Sequence, residues 1–268
     1  MRIGIHMGFS TVDNVVEECR TVGVNEIFLS ATSVPGYDEV GYSKSDQLRK
    51  ITDGLQDRKV LVSGIIIPPP SPENVLGQDD TERKGLLETI RAAGKSGIHT
   101  SLFYPLDRFL HFHEYHVDRP LKVMPGDDDW PAIEEFMRDI VAVADEVNLR
   151  LGHHLWAVDV VRALWEAAPS PNNGVTYCQG MCLIGEDPHS PVETWGMDRI
   201  FFAHARNQVR TGPALMDHDE VPLNVGDVDM AKCVSALQQA DYDGVIIPEH
   251  LGPQSTADAV AYLRGLIH

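Results

Sequence analysis

Short apolar runs alternate with amphipathic stretches along the whole chain. Residues 2–6 read as a strand, followed by Val12, Val15, Val16, Cys19 and Val22 at offsets 0, 3, 4, 7 and 10, one apolar face at helical period. Gly23 ends that helix, and Glu26-Ile-Phe-Leu29 forms a second strand. A helix near 44–56 leads to a third strand at 60–67, stopped by Pro68-Pro69-Pro70. The spacing then predicts a helix at 80–95, a strand at 99–104, a helix at 131–147 opened by Pro131, and a strand at 149–153. A helix near 157–167 and a strand at 174–178 follow. Residues 179–198, rich in Gly and Pro, have room for a short helix only. The last strands are 199–204 and 244–248. Between them, Asp227 or Asp229 caps a helix bearing Met230, Val234 and Leu237 on one face. Ser255-Thr-Ala-Asp258 opens the final helix with a capping-box pattern.

Eight strands, each followed by a helix or its remnant at a repeat of about 33 residues, predict the α/β class and a (β/α)8 TIM barrel, with 1–268 as a single domain. A doubly wound open sheet is the alternative. It loses ground because no Gly-x-Gly-x-x-Gly and no Gly-Lys-Ser/Thr follows a strand. Residues 105–130 break the rhythm with a long segment holding His111, His113, His116 and Trp130. Its aromatic content fits a lid, or a contact between the subunits of a homo-oligomer. A loop is a poor place for a precise metal site, so its three histidines rank below the strand ends as ligands.

Charge and composition narrow the chemistry. The net charge of −18 argues against a nucleic-acid partner, which needs clustered Lys and Arg, and requires a local positive centre for any anionic substrate. No apolar run approaches the roughly 18 residues that span a bilayer, so no membrane partner is expected. The first residues are already a strand and lack a signal-peptide layout. Four cysteines in 268 residues are no disulfide framework. Cys19 and Cys233, on helices, read as reduced core residues, and a cytoplasmic location is expected.

Candidate chemistry gathers where strands stop. Leu149-Arg-Leu-Gly-His153-His154, Val175-Thr-Tyr-Cys178, Ile200-Phe-Phe-Ala-His204 and Val245-Ile-Ile-Pro-Glu249-His250 each place a possible metal ligand just past an apolar run. In a parallel barrel those ends converge on one face. Each residue alone has a plain structural reading, a buried cysteine or a core histidine. Four repeats of one pattern favour a divalent-metal sphere of His154, Cys178, His204 and Glu249, with His153 competing for the place of His154. Such mixed N, S and O donors suit Zn, Fe, Co or Mn. Arg206 is expected to read a substrate anion, with His153 and Asn207 also at the substrate, and Tyr104 adds a hydroxyl to the same mouth.

The spaced set Gly174-Val-Thr-Tyr-Cys178, Arg199-Ile-Phe-Phe-Ala-His204-Ala-Arg206-Asn207, Gly226-Asp-Val-Asp-Met230 and Tyr242-Asp-Gly-Val-Ile-Ile-Pro-Glu249-His250 resembles the mannonate dehydratases, members of the xylose-isomerase-like TIM barrels. The resemblance covers roughly 148–252. It implies a divalent ion, usually manganese, held by a histidine, a cysteine, a histidine and an aspartate. Those positions fall on His154, Cys178, His204 and Glu249. It further implies that Arg206 lies near a substrate carboxylate and that His250 stands beside the metal; His250, and Tyr104 from its own strand end, are the candidate catalytic groups. The substrate implied is a small sugar acid, dehydrated to a 2-keto-3-deoxy acid. Three features depart from the family: Leu155-Trp156-Ala157-Val158 replaces its acid/base segment, glutamate replaces aspartate at 249, and the chain is shorter. A metal-dependent sugar isomerase or epimerase is therefore the second reading, and a non-catalytic sugar-acid binding protein the third.

Overall fold

A computed structural model describes residues 1–106, 128–154, 158–184, 188–212 and 217–267. The long segment singled out in the sequence, with His111, His113 and His116, lies for the most part outside the described residues, as do Leu155, Trp156 and Ala157.

The alternating pattern folds into a barrel of parallel strands wrapped in helices. β1 is Arg2–Ile3 and Ile5–Met7, broken at Gly4. The others are β2 (Glu26–Ser30), β3 (Leu61–Ile66), β4 (Thr100–Phe103), β5 (Arg150–His153), β6 (Asn173–Cys178), β7 (Ile200–Ala205) and β8 (Val245–Pro248). Each pairs in parallel with the next, and the break in β1 lets one strand close the circle. Its first half pairs with β8, Arg2 opposite Val245, and its second half with β2, Ile5 opposite Ile27.

The outer layer is α1 (Val12–Val22), α2 (Ser45–Asp57), α3 (Thr81–Lys95), α4 (Trp130–Glu146), α5 (Val158–Ala167), α6 (Gln179–Ile184), α7 (Met230–Gln239) and α8 (Thr256–Ile267). Gly23 ends α1 in the left-handed conformation, φ 82°, which a Cβ would strain. Asp229 caps α7 by accepting from Lys232 N, and Ser255 caps α8 by accepting from Asp258 N. One difference from the sequence reading falls between β7 and α7, where a loop was expected. Asn207–Arg210 and His218–Val221 pair there as an antiparallel ribbon. Its residues are mostly polar, so no apolar run marked it.

The barrel interior positions the site. Phe28, Leu102, Phe202, Val245 and Ile247 form a small cluster of their own, with Ile66 and Tyr104 packed against it. The Phe28 and Phe202 rings lie 4.5 Å apart. Side chains alternate across a strand, so residues two further along from this plug also face the barrel axis. From Phe202 the next inward position is His204, and from Ile247 it is Glu249. These groups stand above an apolar floor, at the C-terminal ends of the strands.

Candidate metal centre

Alternation brings one residue from each of four consecutive strands to a single point. Ligand atoms of His154, Cys178, His204 and Glu249 all lie within 4.8 Å of one another, a group able to hold a metal ion. Glu249 Oε1 is the hub. It lies 3.0 Å from His204 Nδ1, 3.7 Å from His154 Nε2, and 3.2 Å from Cys178 Sγ, whose thiol donates to it. His204 and Cys178 are fully buried, and His154 nearly so. Despite these short distances, His154 Nε2 and His204 Nδ1 are buried without hydrogen-bond geometry to any partner among the described residues. Two orphaned imidazole nitrogens aimed at one carboxylate oxygen are costly in a protein interior unless something else satisfies them.

The charges point the same way. Burial pushes the Glu249 carboxyl up, but His204 and His154 outweigh it and hold the group well below the usual carboxylate range. Burial, then Glu249, push the Cys178 thiol well above its ordinary value. Burial holds His204 towards its neutral form. The cluster therefore offers a carboxylate, two imidazole nitrogens left without a hydrogen bond and a thiol whose ionisation is favoured by added positive charge. A divalent cation supplies that charge, and a coordinating thiol loses its proton outright. The residues fit the ion.

Around the cluster the expected substrate residues separate. Arg206 is buried beside the site, but its Nε and Nη2 both meet the Glu220 carboxylate of the ribbon, the Nε contacts at 3.2 and 3.3 Å. Its Nη1 lies 3.4 Å from Met181 Sδ. Burial disfavours the Arg206 charge, yet Cys178, Glu220 and Glu249 outweigh it and push the guanidinium pKa up. His250 follows Glu249 with φ 49° and a half-exposed side chain, its Nδ1 3.8 Å from Glu220 Oε1. Tyr104 sets its ring edge to face with His154, centroids 5.1 Å apart.

Two expected substrate groups lie elsewhere. His153 occupies the outward position of β5, fully buried, with Nε2 2.5 Å from Asn173 Oδ1. Asn173 in turn donates to the Leu164 and Ala168 carbonyls. His153 thus ties barrel to α5 and is not brought to the mouth. Asn207 is also buried, donating to the Leu223 and Val228 carbonyls and accepting from the Gln208 and Val228 amides. Its amide is spent on holding the 222–228 loop. Conversely, the sequence reading passed over two residues. His6, at the end of β1, contacts His204, and burial pushes its pKa down to about 3. A histidine ending an apolar run was the same signal that marked His204. Glu220 lies on the unrecognised ribbon.

The sequence model of the D-mannonate dehydratase (UxuA) family matches residues 80–261. Mannonate dehydratase 2 of Halalkalibacterium halodurans is 29% identical over 146 residues, covering 48% of this chain and 42% of that protein. The chain spans well under two thirds of the length of the curated relatives it matches. Among solved structures, mannonate dehydratase from Streptococcus suis serotype 2 superposes with a TM-score of 0.79 at 19% identity, covering 100% of this chain and 92% of that one. D-psicose 3-epimerase from Clostridium cellulolyticum H10 gives a TM-score of 0.71 at 14% identity, covering 100% of both chains. These two likenesses establish the TIM-barrel fold.

Proposed function

The chain belongs to the D-mannonate dehydratase (UxuA) family, and from that premise we propose that it is a divalent-metal-dependent hydro-lyase acting on a small sugar acid, D-mannonate or a close relative. What carries the reading is the convergence of His154, Cys178, His204 and Glu249 within the stretch that the family model matches. His154, Cys178, His204 and Glu249 would hold the ion, and manganese is the ion we propose, with Zn, Fe and Co as competitors for the same donors. Once bound, it supplies Lewis acidity that makes the proton beside a substrate carboxylate easier to remove.

The remaining work falls to the chain. Arg206 brings buried positive charge to a protein of net charge −18, and so gives an aldonate carboxylate a local attraction. Its Nε and Nη2 are committed to Glu220, so an incoming carboxylate meets the Nη1 edge or displaces Glu220. His250, half-exposed beside Glu249, is the proposed proton carrier, since an imidazole ring can both donate and accept a proton. Tyr104 is its proposed companion at the rim. The apolar floor of Phe28, Leu102 and Phe202 excludes water from below.

A second reading has its own observation. Leu155-Trp156-Ala157-Val158 contains no proton-transfer group, and loss of hydroxide draws about 10²–10⁴-fold from a general acid. An isomerase or epimerase relocates a proton and has no leaving hydroxide to protonate. Incubating the manganese-loaded protein in D2O with D-mannonate and related aldonates, and in parallel with aldoses and ketoses, separates the two. We expect a 2-keto-3-deoxy acid. Interconversion of an aldose and a ketose without that product would replace the hydro-lyase reading by the isomerase one.

A further inference from the structure

The four-donor cluster leaves one contact of His204 unexplained. His6 Nε2 lies 3.0 Å from His204 Nε2, with the two rings edge to face at 75° and centroids 4.7 Å apart. Two imidazole nitrogens at that distance form a hydrogen bond only when one carries a proton and the other offers its lone pair. The other ring nitrogen of His204 decides the direction. Nδ1 is the atom turned to the donor cluster, 3.0 Å from Glu249 Oε1, and it lacks hydrogen-bond geometry to that oxygen. A nitrogen that ligates a cation must be unprotonated, and a neutral imidazole has one proton to place. That proton must sit on Nε2, where it points at His6.

We propose that His6 is a positioning residue for the metal centre: its Nε2 accepts the Nε2 proton of His204 and so fixes the tautomer and ring orientation that present Nδ1 to the ion. The inference rests on the four-donor reading of the site. A ligating histidine commonly donates its second N–H to a carboxylate or a backbone carbonyl. Here a neutral imidazole takes that place, and charge gives a reason. The buried cluster already holds the Glu249 carboxylate and a cysteine that must ionise on binding. A further carboxylate behind His204 would add another buried negative charge to an already acidic protein. An imidazole acceptor adds none. His6 is also placed to act this way by the barrel: β1 contributes its last inward position opposite β7, across the closure made by β8. In this arrangement His6 carries its own proton on Nδ1.

The tautomer is open to direct observation. In the ¹⁵N-labelled, Zn²⁺-loaded wild type, long-range ¹H–¹⁵N spectra are expected to show His204 protonated at Nε2 and metal-bound at Nδ1. The reverse assignment would overturn the proposal. Variants provide a second reading, with Co²⁺ affinity measured by chelator competition. His6→Phe keeps a ring but has no acceptor, and should weaken binding by about 10–100-fold. His6→Gln returns an oxygen acceptor and should recover most of that loss. A merely space-filling role predicts the opposite order, and Phe binding as well as wild type sinks the idea. Circular dichroism of each metal-free variant checks the fold, and the wild-type tautomer decides the matter if a variant does not fold. A wild-type protein that takes up neither Zn²⁺ nor Co²⁺ removes the four-donor reading itself, an outcome visible before any variant is made.

Discussion

Arg206 sits two residues beyond His204 with its Nε and Nη2 held by Glu220, so an anion entering the mouth meets a charge that already has one partner. The planar fork matters more than the charge here. Arg206→Lys keeps the cation but cannot hold Glu220 and a substrate carboxylate at once. We expect the loss of about 1–3 kcal/mol of substrate binding, the size of a charged hydrogen bond, which is roughly a 5- to 150-fold rise in KM. Steady-state kinetics on the manganese-loaded variant measures it, and an unchanged KM would remove Arg206 from substrate binding. At this scale the sequence was readable wherever alternation could be anchored. His154, Cys178, His204 and Glu249 share an inward parity with the floor residues, and their strand-end positions were visible in the apolar runs. The choice between His153 and His154 needed the register of β5, which neither side chain reveals. His6 escaped because its strand is short, broken at Gly4, and met before any repetition of the pattern had been seen. Glu220 escaped for a different reason: nothing in a run of mixed charge announces a strand.

The elements were legible because each carries its period in apolar side chains, and the ribbon was not because its strands are polar. What the sequence does not display is how tightly the strands must approach inside the barrel. Gly64 on β3 illustrates this. A Cβ built there would fall 2.3 Å from Phe28 Cε1 and 2.5 Å from its Cδ1 and Cζ, well inside contact distance. Phe28 cannot move away freely, because it is fully buried and packs on Phe202, whose ring in turn lies 5.0 Å from His204. Gly64→Ala therefore overpacks the floor of the site, a change that typically costs about 1–3 kcal/mol. Urea unfolding is the measurement, and a lower midpoint with an unchanged slope is the expected result. The same variant should disturb the metal centre through Phe202, so a protein of wild-type stability would mean that the ring has room that the structure does not show.

At the scale of the whole molecule, the cluster links parts of the chain that only folding brings together. His154, Cys178, His204 and Glu249 come from the ends of β5, β6, β7 and β8, and an unfolded chain has no such arrangement of donors. An ion that binds the folded barrel and not the unfolded chain stabilises it by mass action, about 2.7 kcal/mol when the free ion stands at a hundred times its Kd. In a domain of this size each kcal/mol shifts the melting temperature by roughly 2–4 °C. Stripping the ion with a chelator should therefore lower the Tm by about 5–10 °C, and restoring manganese should recover it. Glu249→Gln supplies the control. It removes the carboxylate hub that faces both imidazoles and the thiol, so its melting temperature should no longer respond to chelator or to added ion. A wild-type melting temperature indifferent to both would mean that these four side chains satisfy one another without a metal, and the proposed hydro-lyase chemistry would lose its Lewis acid.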